Sequence, residues 1–232
     1  MTIKIARKIA YLFMAVALLG AWAVPAASSA SADTAQCSIA VPNVAITKPY
    51  TLIRATLGTN CTGNGVTQAD WGNRHSYYGP SLSFLFNNTN IASVGFYAEP
   101  YYLDHIGTYL VEPSYAYDAN YNSFTQNTTS YAVRDGSALS LSVTRSGSAV
   151  TLRAYNSYWS ANGGAYWPWR GHGVSFQYKR CATCSWSGLK NVGTNSNGVA
   201  ATLTYSASRL YFRAFAGGTE TQWSATSSTI LR

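Results

Sequence analysis

The chain has 232 residues, of which 47% are apolar, 14% aromatic and only 10% charged, with a formal net charge of +8. That balance excludes a disordered chain, a coiled coil and a long basic tail. Beyond residue 24 no apolar stretch approaches the ~20 residues of a membrane-spanning helix, which excludes a polytopic membrane protein.

Lys4, Arg7 and Lys8 precede an apolar run from Ile9 to Val24, the pattern of a secretory signal peptide. Ala30-Ser31-Ala32 supplies the small residues that a signal peptidase pocket accepts, so cleavage is expected after Ala32. A cut after Ala26 fits less well, because Pro25 lies between the two pocket residues. Thr34-Ala35-Gln36 before Cys37 lacks the aliphatic and small residues of a lipid-attachment site. The expected product is free, secreted and extracellular, with no membrane association once the leader is removed.

Removing the three basic residues of the leader leaves 13 Lys and Arg against 8 Asp and Glu, a net of +5. Residues 33–135 carry four basic and seven acidic residues; residues 136–232 carry nine basic residues and the single acid Glu220. This asymmetry predicts two domains, 33–135 and 136–232, meeting at the turn-like Arg134-Asp135-Gly136.

In the first of them, Tyr50 to Leu57, Leu82 to Phe86, Ile91 to Tyr97 and Thr108 to Val111 read as strands, and a sandwich-like fold is expected. Asp118-Ala119-Asn120-Tyr121-Asn122 reproduces three ligand positions of a calcium loop. Ser123 stands where the turn needs glycine, however, and Thr129 where a bidentate glutamate is needed. A solvated Asx turn is the better reading, and neither metal nor cofactor is expected.

In the second, apolar residues alternate at Leu139, Leu141 and Val143, at Val150, Leu152 and Ala154, at Val174, Phe176 and Tyr178, at Val199, Ala201, Leu203 and Tyr205, and at Leu210, Phe212 and Ala214. Period two marks half-buried strands. With weaker strands near 185–192 and 225–231, seven strands predict an antiparallel sandwich. No helical periodicity follows the leader.

Leu189 to Leu203 with its Asn195-Ser196-Asn197-Gly198-Val199 turn, Tyr211 to Thr219, and Trp169 to Tyr178 together resemble bacterial immunoglobulin-like modules of secreted actinobacterial proteins. The resemblance covers roughly 95 residues and is carried by structural motifs. It implies a β-sandwich that spaces, adheres or binds, and it transfers no active site. The whole is therefore expected to be all-β, two tandem immunoglobulin-like antiparallel β-sandwiches after a signal peptide. The chain departs from antibody domains in having no cysteine on the strands that carry their inter-sheet bridge.

Four cysteines in an exported chain predict two disulfides, and three pairings are open; the domain split favours Cys37 with Cys61 and Cys181 with Cys184. Cys181-Ala182-Thr183-Cys184 has redox spacing but lies between strands rather than at a helix N-terminus, so a hairpin-tip staple is expected.

His75, His105 and His172, with Asp70, Glu99, Asp104, Glu112 and Asp118, form no recognisable catalytic set. A secreted polysaccharide hydrolase using the acids of the first half is the alternative to a binding or structural module.

Tyr155 to Arg170 joins the second and third strands of the basic half and holds three of the six tryptophans that follow the leader. Read as a loop at the end of a sandwich, it nominates Trp159, Tyr166, Trp167, Trp169 and Arg170 as a binding surface for an extracellular protein, a cell-wall polymer or a glycan. Lys179 and Arg213 alternate out of phase with the core and are expected in solvent, where they would attract acidic wall polymers or DNA. No motif predicts specific nucleic-acid recognition.

Overall fold

The computed structural model describes residues 35–76, 79–80, 82–98 and 106–232. The expected signal peptide and Glu99, Asp104 and His105 lie outside the described residues. The elements in chain order are β1 (Ile39–Ala40), β2 (Val44–Ile46), β3 (Thr51–Leu57), α1 (Thr59–Gly63), β4 (Val66–His75), β5 (Gly79–Pro80), β6 (Phe84–Phe86), β7 (Ser93–Ala98), β8 (Gly107–Asp118) and β9 (Thr129–Asp135). They continue as β10 (Ser137–Ser146), β11 (Ala149–Ser160), β12 (Ala165–Pro168), β13 (Gly173–Lys179), β14 (Ser187–Gly193), β15 (Val199–Tyr205), β16 (Tyr211–Ala216), β17 (Ala225–Thr226) and β18 (Ile230–Leu231). Among the described residues the protein is all-β apart from the single helical turn α1.

Four sheets organise these strands. β3 sits between β1 and β7, and β4 and β8 form the middle of a larger sheet completed by β9, β5 and β6, with β2 pairing in parallel with β9 at its edge. β11 sits between β10 and both β12 and β15, while β13 and β16 centre a sheet with β14, β17 and β18.

Buried side chains gather in two clusters. Ile53, Trp71, Phe84, Phe86, Tyr109, Val111, Tyr131 and Val133 anchor the first, drawn from the first two sheets. Leu152, Ala154, Val174, Phe176, Phe212 and Ala214 anchor the second, drawn from the other two. Along β3 the pattern of buried and outward residues is strictly alternate, as the pleat requires. β4 is less regular, with register shifts after Val66 and after Asp70. At the second shift Tyr115 pairs with Asp70 and Pro113 with Trp71, so Ser114 is the extra residue, and the proline, which has no N–H to give the ladder, sits beside that bulge.

The cysteines pair Cys37 with Cys61 and Cys181 with Cys184. The first pair is fully buried and joins α1, which carries Cys61, to the segment before β1, and the second closes the exposed tip between β13 and β14.

Three local expectations are corrected. Arg134-Asp135-Gly136 is not a turn, because β9 runs into β10 with only Gly136 between them. Gly136 donates its N–H to Ile46 O (2.7 Å), and a Cβ there would stand 2.4 Å from Thr47 Cγ2, so a side chain at the joint would force Thr47 to shift. Residues 35–232 form one compact unit.

The second correction concerns the phase of β15. Leu203 and Tyr205 are 52% and 71% exposed, and Ala200 and Thr202 point inward. Ala200 pairs with Ala154 and Thr202 with Leu152, and cross-strand partners share a face. Phe176 and Phe212 already fill that cluster, so the small side chains go in and the large ones out.

The third is the segment from Tyr155 to Arg170, which is a hairpin rather than a loop. β11 extends to Ser160 and pairs with β12 through a four-residue connection. Gly164 there adopts φ +59°, the left-handed conformation such connections use.

Candidate binding site

The burial pattern along β11 explains how the hairpin distributes its aromatic residues. Up to Asn156, alternate residues Val150, Leu152, Ala154 and Asn156 turn into the second cluster; Asn156 and Ser157 are then buried in succession and the phase inverts. Trp159, expected on the binding surface, is consequently only 7% exposed and belongs to the first cluster, with its ring edge-on to Tyr166 at 5.5 Å. Tyr158 lies on the opposite face and pairs with Trp167.

On that face Tyr158, Trp167, Pro168, Trp169, Arg170 and Gln222 line a cleft of about 450 Å³. Trp167 is 51% exposed; Tyr166, 40% exposed, pairs with Trp159 and turns to the other face, outside the cleft lining. The Trp167 indole lies over Gly163, where a Cβ would approach its Nε1 to 2.4 Å, so that glycine is what lets the ring rest flat on the turn. Trp169 is fixed from both sides: it stacks on His172 at 3.6 Å between ring centroids and meets Tyr158 edge-on at 6.0 Å. His172 is itself held, with Nε2 2.8 Å from Gly217 O and its backbone N–H donated to Thr194 Oγ1 (3.0 Å). Arg170 is exposed at the mouth. The ring positions are thus set before any ligand arrives, which limits the entropy lost on binding.

Gln222 connects the cleft to a buried carboxyl that the sequence did not single out. Its Oε1 accepts from the Thr219 and Thr221 hydroxyls, and its backbone bridges to Asp135. Asp135 is 6% exposed, Oδ1 is buried without a hydrogen-bond partner, and desolvation pushes its pKa up to about 6 against the relief given by Gln222. Because the folded-state value lies above the ordinary 3.8, the folded protein holds this proton more tightly than the unfolded chain. Stability therefore falls as pH rises from about 4 to about 6, and the cost is complete above that. Asp135→Asn is expected to raise stability at pH 8 by about 1 kcal/mol after allowance for solvent screening, and to change it little at pH 4. Urea unfolding at the two pH values measures this; an equal effect at both would show that charge is not the cause.

The same region ties residues distant in sequence together. Trp223 donates its indole N–H to Val44 O (2.9 Å), its backbone N–H bonds Asp135 O (3.0 Å), and the Arg134 guanidinium lies 4.6 Å from its ring centroid.

The other nominated residues are used locally. Asp118 accepts from the backbone N–H groups of Asn120 and Asn122 and from Asn122 Nδ2 at 2.8–2.9 Å, bonds that hold its carboxyl below the ordinary range. Glu112 forms an exposed ion pair with Arg74 at 3.0 Å. His75 is buried against Tyr109, with Nε2 3.0 Å from Ile106 O. Lys179 and Arg213, expected free in solvent, are half-buried around Trp186, 4.9 Å and 4.3 Å from its ring centroid. Lys179 also reaches Ala182 O, and Arg213 Nε donates to Gln177 Oε1 (2.7 Å). The signal for this cluster was Trp186, two residues past the second hairpin-tip cysteine. Among the described residues no group of three His, Cys, Asp or Glu side chains is placed to share a metal ion.

No protein-family model matches the chain. No curated protein matches it either. Among solved structures it is similar to the D0-D1 domain of intimin, at 14% identity over 84% of this chain and 96% of that one, with a TM-score of 0.25. It is also similar to a DUF3823 family protein from Bacteroides uniformis (8% identity, 85% and 98% coverage, TM-score 0.28). A third likeness is to the three N-terminal domains of the highly immunogenic outer capsid protein of bacteriophage RB49 (12%, 83% and 68%, TM-score 0.25).

Proposed function

We propose that this protein is a secreted extracellular binding module, two tandem immunoglobulin-like β-sandwiches spanning 33–135 and 136–232, that recognises a cell-surface or cell-wall glycan through the cleft of Tyr158, Trp167, Trp169 and Arg170. The leader-like N-terminus and two disulfides support export. Two clusters of buried side chains, each drawn mainly from its own pair of sheets, with Trp159 of β11 packing into the first, support two sandwiches joined within one compact unit.

The observation that carries the reading is the combination of an exposed indole, Trp167, with a second indole, Trp169, immobilised between His172 and Tyr158 in one cleft. Flat apolar faces accept the C–H face of a sugar ring, and the Arg170 guanidinium and Gln222 amide beside them supply hydrogen bonds that orient hydroxyls. Trp159 supports the hairpin from beneath and makes no ligand contact in this account. Nothing in the placement of Glu112 or Asp118 favours hydrolysis, since each is engaged by its own neighbours.

A glycan array tests the proposal. The native protein is expected to bind a defined class of oligosaccharides, and Trp167→Ala to lose about 30-fold in affinity, the scale of an interface hot spot, with an unchanged circular dichroism spectrum. Trp169→Ala is expected to lose as much. Binding unaffected by both substitutions would remove the cleft from the account.

A further inference from the structure

At the far end of the second half lies a groove of about 610 Å³ whose lining includes Arg180, Arg209, Tyr178, Tyr205, Leu189 and Phe212. β13 and β15 each begin beside the aromatic cleft and end at this groove, which separates the two by roughly 20 Å, the length of a seven-residue strand.

Three features distinguish the groove from an ordinary charged surface. Arg180 and Arg209 are both exposed, and neither has a hydrogen bond or ion pair among the described residues. No carboxylate side chain lines it, and Glu220 is the only acidic side chain in residues 136–232. The wall from Ser206 to Arg209 is held in place: Arg145 donates to Ser206 O (2.8 Å) and Ser208 O (2.7 Å), and Ser206 Oγ bonds Ser208 O (2.7 Å). The inverted phase of β15 completes the site, because it turns the Tyr205 ring, 71% exposed, outward at the groove edge.

The geometry points to a second binding site, one for a polyanionic glycan, with Arg180 and Arg209 taking carboxylate or phosphate groups and Tyr205 packing against a sugar ring. Guanidinium groups match both anions through paired N–H donors. The volume accommodates a short stretch of a polymer rather than a single small ion. A single exposed ring is not the row of stacking platforms that single-stranded nucleic acid uses, and the groove presents no helix or ribbon to enter a duplex, so a glycan is favoured over DNA. The site is independent of the aromatic cleft.

Equilibrium binding of the full mature chain to polygalacturonate, to a glycerol-phosphate polymer, to neutral dextran and to single-stranded DNA of matched charge tests this. Binding is expected to at least one of the first two, and which one identifies the anion. Raised salt is expected to weaken it, while dextran stays unbound and DNA binds at least tenfold more weakly. Arg180→Ala and Arg209→Ala should each lose about tenfold, with lysine at either position recovering part of the loss. Arg153→Ala, an exposed cation on β11 that does not line the groove, and Trp167→Ala should both bind as the native chain does.

Native-like binding by the double variant Arg180→Ala/Arg209→Ala would overturn the proposal, as would no binding to either anionic polymer at low salt. Equal binding of DNA would also overturn it, as would losses from Arg153→Ala matching those of the groove variants. Since Trp167→Ala leaves this site intact, failure here and failure of the glycan cleft are read separately.

Discussion

Replacing both Cys37 and Cys61 with alanine is expected to lower the unfolding free energy by about 3 kcal/mol, enough to remove a large fraction of the stability of a domain of this size. Two effects combine. The crosslink closes a separation of 24 residues, which restricts the unfolded chain, and both cysteines are fully buried in the first cluster, so their loss also leaves a void. The bond holds the N-terminal segment against α1, where Asn60 reinforces it by bonding Ser38 and donating to Ala35 O (2.8 Å). Cys181 and Cys184 are exposed and only three residues apart, so removing that pair should cost clearly less. Denaturant unfolding of the two double variants makes the comparison. An equal or larger loss from the Cys181 and Cys184 variant would contradict the assignment of the first bridge to the core.

Trp71→Ala is expected to cost about 3–5 kcal/mol, the range for truncating a large buried aromatic residue. Trp71 is fully buried, meets Phe86 edge-on at 5.9 Å and donates its indole N–H to Asn127 O (3.0 Å). Asn127 in turn bonds Ile39 in both directions, through its Oδ1 (2.8 Å) and its Nδ2 (3.1 Å), so the indole also steadies the attachment of β1. Trp71→Phe keeps much of the volume and abolishes the hydrogen bond, and should recover roughly half of the loss. Urea midpoints for the two variants separate packing from hydrogen bonding; a loss under about 1 kcal/mol for the alanine variant would mean that the first cluster is not organised around this residue.

β10, β13, β16 and the first part of β11 were legible because small or polar residues alternate with Leu139, Val150, Leu152, Val174, Phe176 and Phe212, and the packing keeps that period there. β4 was hidden. Its first register shift places buried Val66 and Ala69 three residues apart, and its inward positions include Asn73 and His75. Those polar side chains are tolerated there because Asn73 bonds the Tyr131 hydroxyl (3.0 Å) and His75 bonds Ile106 O. β15 was read in the wrong phase because its apolar residues alternate just as well outward as inward. Only the pairing with β11 decides between the two.

The aromatic segment was legible as a place and not as a geometry. Composition drew attention to Tyr155 to Arg170, yet the inversion at Asn156 and Ser157, which sends Trp159 inward and Tyr158 outward, depends on β11 passing from one cluster to the other. Asp135 and Gln222 were invisible for a related reason: they are 87 residues apart and meet only through an isolated bridge. Arg180 and Arg209 carried no motif, and the charge asymmetry that led toward a basic surface pointed first to Lys179 and Arg213, which the ring of Trp186 engages instead.

The most direct measurement on the glycan cleft is a nuclear magnetic resonance titration of the indole N–H signals. The chain beyond the expected leader has six tryptophans, and each gives one resolved probe. Adding a soluble cell-wall oligosaccharide that the array identifies is expected to shift Trp167 and Trp169 in a saturable manner and to leave buried Trp71 and hairpin-tip Trp186 in place. Saturable shifts confined to other tryptophans, with Trp167 and Trp169 unmoved, would contradict the account.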